Sequence, residues 1–166
     1  VYMCDVAEKK LRYAMDTFGF DGMILNDSPE ALEKAVGEIT GQIDIRGTKN
    51  NYGFDVCIEA VGLPSTFQNC IDAAAFGGKV VLIGVGKKNL DFNFTLIQKK
   101  ELNVFGSRNA LKKDFVELID LVNAGKADLG HVITNMYQAD DAAEAFAEFD
   151  KNGAEMLKVV LDFTDF

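Results

Sequence analysis

The sequence predicts an α/β protein with a mostly parallel sheet flanked by helices. Residues 54–62 and 77–86 are two apolar runs that contain β-branched residues and end in glycine. One segment of helix length separates them. Buried parallel strands have continuous apolar runs of this kind, and glycine suits a strand end that a ligand approaches closely. A third such run opens the chain at residues 1–5. Together these runs favour a nucleotide-binding sheet.

Strand and helix patterns alternate from the first residue. Residues 1–6 predict a strand, and residues 8–18 predict a helix with one apolar face that Gly19 ends. Residues 22–25 predict a second strand, and Ser28 followed by Pro29 predicts the start of a helix that runs to Thr40. Residues 41–53 are polar and glycine-bearing without apolar periodicity, so we expect an exposed connection.

The alternation continues with a strand at residues 54–60, a helix at 64–75 and a strand at 79–83. Residues 90–94 alternate apolar and polar side chains, which predicts an edge strand or a subunit contact. A strand at 101–106 precedes an amphipathic helix over 111–122 that Gly125 ends. Patterns for a strand at 132–137, a helix at 140–149 and a strand at 158–163 complete the chain. We expect one domain over residues 1–166.

Composition limits the class of partner. The chain has 166 residues, of which 48% are hydrophobic, enough for one domain with a substantial core. A net charge of -9 with scattered acidic residues argues against nucleic acid. No apolar run approaches the roughly 20 residues that cross a bilayer, and no secretory leader is visible, so we expect a cytoplasmic protein. Three cysteines without a CxxC pair and a single histidine, His131, argue against a metal site in this chain.

An acidic residue marks a candidate ribose site. In dinucleotide-binding folds, an acid at the end of the second strand binds the adenosine ribose, and its charge repels a 2′-phosphate. Asp5 stands in that place, and Lys10 follows five residues later, within reach of the same ribose. The alternatives are that Asp5 caps the following helix and that Lys10 is solvated.

Two further segments lie at the carboxyl ends of adjacent predicted strands, where open α/β sheets bind ligands. Their apolar character suits the flat faces of adenine and nicotinamide, and their residues are Ala60, Val61, Gly62, Leu63, Ile83, Gly84 and Val85. The alternative is that they are plain strand ends with tight turns. Gly84 and Gly86 resemble the start of a GxGxxG motif, but residue 89 is Asn, so we assign them no phosphate.

Ser107 and Arg108 follow the last strand of the predicted sheet. Their hydroxyl and guanidinium groups are suited to a carboxamide or a substrate oxygen. The alternative is an ion pair between Arg108 and a surface carboxylate. No GxSxG or HExxH motif is present, and we assign no catalytic residue.

Several motifs occur in the order seen in medium-chain, zinc-dependent alcohol and polyol dehydrogenases, and the chain resembles this family over essentially its whole length. They are Asp5 with Lys10, FDVCIEAVGLPSTF at 54–67, GGKVVLIGV at 77–85, QKKEL at 98–102, GSRN at 106–109 and DAAEAF at 141–146. The resemblance implies a Rossmann-like sheet that is incomplete, with the first strand and its GxGxxG turn missing. It also implies that the family's C-terminal helix and strand follow this partial NAD-binding domain.

The resemblance implies a fragment of an enzyme that passes a hydride from a secondary alcohol or polyol to NAD. In the family a catalytic zinc, held by an amino-terminal domain, polarises the alcohol oxygen. We therefore expect no zinc in this chain and no turnover by the chain alone. Two alternatives stay open. One is a stand-alone, non-catalytic interaction module, and the other is a fragment of a zinc-free, NADPH-dependent enzyme similar to quinone reductases. Asp5 argues against the second, because its charge would repel the 2′-phosphate of NADPH.

The resemblance also bears on association. In the family's strand order, 3-2-1-4-5-6, the missing strand is central, so its loss leaves two edges to be filled. We therefore expect a homodimer, rearranged or strand-swapped. In the family the stretch that corresponds to residues 90–94 pairs across the two-fold axis; the alternative is a ribbon over its own core.

Overall fold

A computed structural model describes residues 1–164. The chain divides into two compact units, one made of residues 1–25 with 110–164 and the other of Asn26–Asn109. Our expectation of a single domain stays a prediction. The main helices and strands are, in chain order, β1 (Tyr2–Asp5), α1 (Glu8–Phe18), β2 (Gly22–Leu25), α2 (Pro29–Thr40), β3 (Gln42–Ile45), β4 (Thr48–Asn51), β5 (Phe54–Glu59), α3 (Pro64–Ala73), β6 (Ala74–Leu82), α4 (Thr95–Lys100), β7 (Asn103–Gly106), α5 (Lys112–Asn123), β8 (Ile133–Gln138), α6 (Ala142–Asn152) and β9 (Lys158–Asp162).

The first unit contains two small parallel sheets. Strands β1 and β2 pair in parallel, as predicted, and α1 packs on both with Leu11 and Ala14 buried. Gly19 ends α1 in the left-handed conformation, with φ of 64°. Strands β8 and β9 also pair in parallel, and α6 packs on them. The apolar residues predicted to form the face of α5 have amphipathic spacing but are between 39% and 64% exposed: the N-cap residue Leu111 with Phe115, Leu118, Ile119 and Val122.

The second unit has a parallel three-stranded sheet in the order β5-β6-β7. Val80, in the central strand, is fully buried, and α3 packs on β5 and β6 with Ile71 buried. The N-cap residue of helix α2 is Ser28, whose hydroxyl accepts a hydrogen bond from the Ala31 amide at 3.1 Å. This is the cap that the sequence predicts.

Residues 41–53 form a mostly exposed hairpin, so the predicted exposure is confirmed, whereas its two strands were not predicted. Strands β3 and β4 pair antiparallel with Ile45 opposite Thr48, which leaves a two-residue turn. Arg46 and Gly47 have φ of 55° and 83°, as the type I′ turn requires, and the Gly47 amide donates to the Asp44 carboxylate at 2.7 Å. A turn of this kind usually contains Asn-Gly or Asp-Gly, so Arg-Gly was a weak signal.

Residues 90–94 form no strand in the structure, and the prediction of an edge strand there is wrong. Phe92 instead packs edge-on against Phe67 in α3, with 4.8 Å between ring centroids. Phe94 is the residue before α4 and is exposed. Within the chain, the alternation accompanies one ring contact, and a subunit contact at residues 90–94 stays a prediction.

Strands β1 and β5 are terminal strands of their sheets in the described residues. Within residues 1–164, β1 pairs with β2 alone, and β5 pairs with β6 alone. No helix in this part of the chain is long and apolar enough to cross a membrane.

Candidate functional site

The carboxyl ends of β5, β6 and β7 lie at one edge of the parallel sheet. Residues 60–63 follow β5, residues 83–86 follow β6, and Ser107 follows β7 directly. The Ser107 amide donates to the Leu82 carbonyl at 2.8 Å, which fixes the start of the third segment against the end of β6. The structure therefore brings together nine of the eleven predicted site residues: Ala60, Val61, Gly62, Leu63, Ile83, Gly84, Val85, Ser107 and Arg108.

The turns after β5 and β6 are in direct contact. A Cβ atom on Gly62, which has φ of 85°, would lie 2.6 Å from the carbonyl carbon of Val85. A Cβ atom on Gly84 would lie 2.2 Å from the Gly62 nitrogen. Any side chain at either position would force the two backbones apart. These glycines therefore permit close packing of one turn on the other.

A buried acid that the sequence analysis did not select lies beneath these turns. Glu59, the last residue of β5, is 4% exposed. Its Oε1 atom accepts hydrogen bonds from the Val61 amide at 2.9 Å, the Gly62 amide at 2.8 Å and the Thr66 hydroxyl at 2.6 Å. The first turn is thus folded around its own carboxylate.

The backbone of Glu59 holds the second turn. Its carbonyl oxygen accepts from the Ile83 amide at 2.8 Å and from the Gly84 amide at 3.0 Å. One residue therefore accepts hydrogen bonds from both turns. The signal for this role was an acid within an apolar run, since buried carboxylates are rare unless they are paired or hydrogen-bonded.

Two opposing effects act on the pKa of Glu59. Burial raises the pKa, while the hydrogen bonds from Thr66, Gly62 and Val61 lower it. The hydrogen bonds prevail, and the pKa of this carboxyl lies below its ordinary value. Glu59 is therefore ionised at neutral pH, which strengthens the bonds that it accepts.

The outward side of the turns is apolar. Four aliphatic side chains there are between 48% and 66% exposed: Val61, Leu63, Ile83 and Val85. Ala60 is exposed as well. Exposed aliphatic groups at strand ends match the flat, apolar surfaces that ring ligands cover.

Ser107 and Arg108 are both exposed. Arg108 forms no ion pair with any residue in the described range 1–164, so the structure does not show the alternative of a surface ion pair. Its guanidinium is available for a ligand at the same edge of the sheet.

Asp5 and Lys10 belong to the other unit. Asp5 ends β1, is partly buried, and accepts a hydrogen bond from the Ala7 amide to its Oδ1 atom at 2.8 Å. This bond closes a local turn before α1 and is not a helix cap, because the N-cap residue of α1 is Ala7, which makes no side-chain cap bond. Lys10 lies in α1 and is partly buried. That these two residues bind a ribose stays a prediction.

The described residues do not fit a metal ion. Among residues 1–164, no group of three or more His, Cys, Asp or Glu side chains is arranged to hold one. His131 is exposed, with its Nε2 atom 3.3 Å from an Asp128 carboxylate oxygen.

Parallel α/β sheets form a class of proteins that bind their ligands, nucleotides among them, at the carboxyl ends of the strands. Comparison with known proteins narrows this class, because a family model described as zinc-binding dehydrogenase matches residues 1–124. The chain belongs to this family.

Curated relatives include two enzymes from Saccharomyces cerevisiae. D-xylulose reductase is 30% identical over 110 residues, which cover 66% of this chain and 31% of the relative. Sorbitol dehydrogenase 1 is 27% identical over 161 residues, which cover 97% of this chain and 44% of the relative. The chain therefore spans less than half the length of these relatives.

Solved structures share the fold. The structure of an alcohol dehydrogenase from Escherichia coli CFT073, complexed with cofactor NADH, matches with a TM-score of 0.80 and 25% identity. The match covers 98% of this chain and 44% of that one. The predicted Rossmann-like α/β fold is confirmed by this likeness, together with the parallel sheet observed.

Proposed function

We propose that this chain is the NAD-binding part of a zinc-dependent dehydrogenase that transfers a hydride from a secondary alcohol or polyol to NAD. The observation that carries the proposal is the exposed apolar surface at the carboxyl ends of β5 and β6, formed by residues 61, 63, 83 and 85. The relatives that match are alcohol and polyol dehydrogenases, which supports the same substrate class.

The residues present suit the rings of NAD. Val61, Leu63, Ile83 and Val85 offer aliphatic contacts to a flat ring, with Ala60, Gly62 and Gly84 between them. Ser107 and Arg108 offer hydrogen-bond donors to a carboxamide or to a substrate oxygen at the same sheet edge.

Asp5 and Lys10 would bind the adenosine ribose. The Asp5 carboxylate accepts from ribose hydroxyls and repels a 2′-phosphate, so the cofactor would be NAD and not NADP. This preference separates the proposal from an NADPH-dependent enzyme similar to quinone reductases.

The proposal assigns the catalytic zinc to a part of the enzyme outside this chain. Residues 1–164 do not offer a ligand set for it. Zinc supplies a Lewis acid that lowers the pKa of the substrate alcohol, and this chain would supply the surface on which the nicotinamide lies. The chain alone would not turn over.

We further propose a cytoplasmic homodimer. The odd number of cysteines without a CxxC pair favours a reducing compartment. Association is supported by the terminal strands β1 and β5, each paired on one side only within residues 1–164, and by the exposed side chains of Leu90 and Phe94. Sedimentation velocity should show a dimer. Phe94→Asp should weaken this dimer, whereas the control Phe146→Asp, at a similarly exposed Phe, should not. A monomer at all concentrations would contradict association.

Titration of the ¹⁵N-labelled chain with NADH tests the cofactor proposal. We expect amide resonances at residues 60–63 and 83–85 to shift, with weak affinity because the sequence has no GxGxxG turn for the pyrophosphate. NADPH should bind less well than NADH, and Asp5→Asn should reduce that difference. If NADH shifts no resonance at the strand ends, the chain does not bind the cofactor there, and a non-catalytic interaction module becomes the better explanation.

A further inference from the structure

The turn after β5 has the form of an anion-binding turn. Two successive amides, of Val61 and Gly62, point at one oxygen atom of Glu59. Successive amides that converge in this way around a glycine with positive φ form a concavity that favours a negative charge. Here the chain provides that charge itself, from the residue two positions before Val61.

The next amide of the turn is also engaged. The Leu63 amide donates to the Thr66 hydroxyl oxygen at 3.2 Å, and the same hydroxyl donates to Glu59. Helix α3 then begins with Pro64, which has no N–H group. The amides of residues 61–63 are therefore all used within the chain, and none of them is available to a phosphate.

The second turn depends on the same residue. A Cβ atom on Gly84 would lie 2.5 Å from the Glu59 Oε2 atom and 2.7 Å from the Val61 nitrogen. The Glu59 carboxylate thus occupies the space between the two turns. The backbone carbonyl oxygen of Glu59 accepts hydrogen bonds from the amides of Ile83 and Gly84. Loss of the carboxylate would remove both the acceptor and the filling of this space.

We infer that Glu59 is a positioning residue. It fixes both strand-end turns in the shape that binds the cofactor rings, and its carboxylate prevents phosphate from binding to this surface. The inference rests on the proposed function, since it concerns the same surface. Buried and hydrogen-bonded by three donors, Glu59 would act through the turns and would not touch the cofactor.

The test compares three side chains at residue 59 in the full chain. Glu59→Gln keeps an acceptor oxygen of the same shape but no charge, and Glu59→Ala removes the acceptor. Lys100→Met is the matched control, because Lys100 stabilises the same unit through carbonyls of Ile71, Asp72 and Ala74 and contacts neither turn. Each variant is titrated separately with NADH and with inorganic pyrophosphate, and the exchange rates of the amides of residues 61 and 62 are measured.

The NADH dissociation constant should rise by about tenfold in Glu59→Ala and by less in Glu59→Gln. Millimolar acetate should restore part of the affinity of the Ala variant, because an external carboxylate can occupy the vacated position. Pyrophosphate should shift the amides of residues 61 and 62 in the Ala variant but not in the wild type. Lys100→Met should lose stability and keep the NADH affinity.

Several results would overturn the inference. If the wild type binds NADH and both variants at residue 59 bind it equally well, Glu59 does not position the turns, although the proposed function survives. If acetate restores no affinity to the Ala variant and pyrophosphate does not shift its amides at residues 61 and 62, the loss is not due to a vacated carboxylate position. If the Ala variant fails to fold, Gln decides alone: unchanged exchange at residues 61 and 62 contradicts the inference. A wild type that does not bind NADH refutes the proposed function and the inference with it.

Discussion

Gly84→Ala is the smallest change that tests the packing of the two strand-end turns. The added methyl group would lie 2.2 Å from the Gly62 nitrogen and 2.7 Å from the Val61 nitrogen. Both of these neighbours are backbone atoms, so no side chain can rotate away to make room. The turn after β5 must move as a whole.

The expected cost follows from what that movement breaks. Overpacking alone costs about 1–3 kcal/mol. Displacement of the turn also stretches the bonds from the Val61 and Gly62 amides to Glu59, and hydrogen bonds to a charged group contribute about 1.5–3 kcal/mol each. Partial loss of these bonds brings the total to roughly 2–4 kcal/mol. Gly84 does not have a positive φ, so backbone strain adds nothing.

Thermal unfolding measures this cost, with Gly106→Ala as the control. Gly106 ends β7, at the same edge of the sheet; it has no positive φ, and a Cβ atom there would meet nothing within 4 Å. We expect Gly84→Ala to lower the Tm by roughly 5–15 °C and to weaken NADH binding, and Gly106→Ala to change the Tm by less than about 2 °C. Equal Tm values for the two variants would show that the turns do not pack as described.

Three further predictions concern stability. Ser28→Ala should cost about 1 kcal/mol in urea denaturation, because it removes the α2 cap, whereas Ser28→Asp should retain most of it; equal stability of Ser28→Ala and wild type would contradict the cap. Lys100→Met should cost about 1–2 kcal/mol in the same assay, since its Nζ atom binds three carbonyls within 2.9 Å. Burial lowers the pKa of Lys100, so the cost of desolvating its charge offsets part of the stability that these hydrogen bonds contribute. Equal stability of Lys100→Met and wild type would show that desolvation offsets the whole contribution. Finally, hydrogen bonding holds the pKa of Glu59 below its ordinary value of about 4.3 despite burial, so its contribution is complete above that pH and disappears as the pH falls through the lower value. Unfolding free energies measured from pH 7 to 3 should fall more steeply below about pH 4.5 in wild type than in Glu59→Gln, and equal slopes would refute this.

Local signals in the sequence were sufficient where one residue decides one boundary. The bounds of α1 and β2 agree with the structure because helical periodicity and Gly19 mark them directly. The start of α2 agrees because Ser28 and Pro29 each have a single favoured position at a helix start. Continuous apolar runs also predicted the parallel pairing of β5, β6 and β7.

Signals failed where the outcome depends on a partner distant in the sequence. The alternation at residues 90–94 indicated a strand, but the partner of Phe92 is the ring of Phe67 and not a neighbouring backbone. Helix α3 ends at Ala73, and β6 begins at Ala74, five residues before the predicted start, since β6 pairs there with β5. Glu59 was passed over as a site residue because its bonds to Val61, Gly62 and Thr66 exist only in the folded turn.

The candidate site stays a prediction, and one reason given for its glycines was incomplete. We predicted glycine at the strand ends because a ligand approaches the backbone there. In the structure, the backbone of residues 85 and 86 lies close to Gly62. The backbone of residues 61 and 62 lies close to Gly84. A glycine at a strand end therefore marks a close approach without saying which partner makes it.

Whether a ligand or another turn of the chain lies against these glycines bears on which part of a dinucleotide this edge of the sheet can bind. A turn with unused amides binds phosphate, because each N–H group adds a donor and partial positive charge. At residues 61–63 these donors are used by Glu59 and Thr66, so the outward surface has only the aliphatic groups of Val61 and Leu63 left for a ligand. This turn favours a ring over a phosphate, because a phosphate brought near it would meet the field of the Glu59 carboxylate and no unused amide of residues 61–63. Under the proposed function, the pyrophosphate of NAD would be bound by donors other than these three amides, and the turn after β5 would contact a ring of the cofactor.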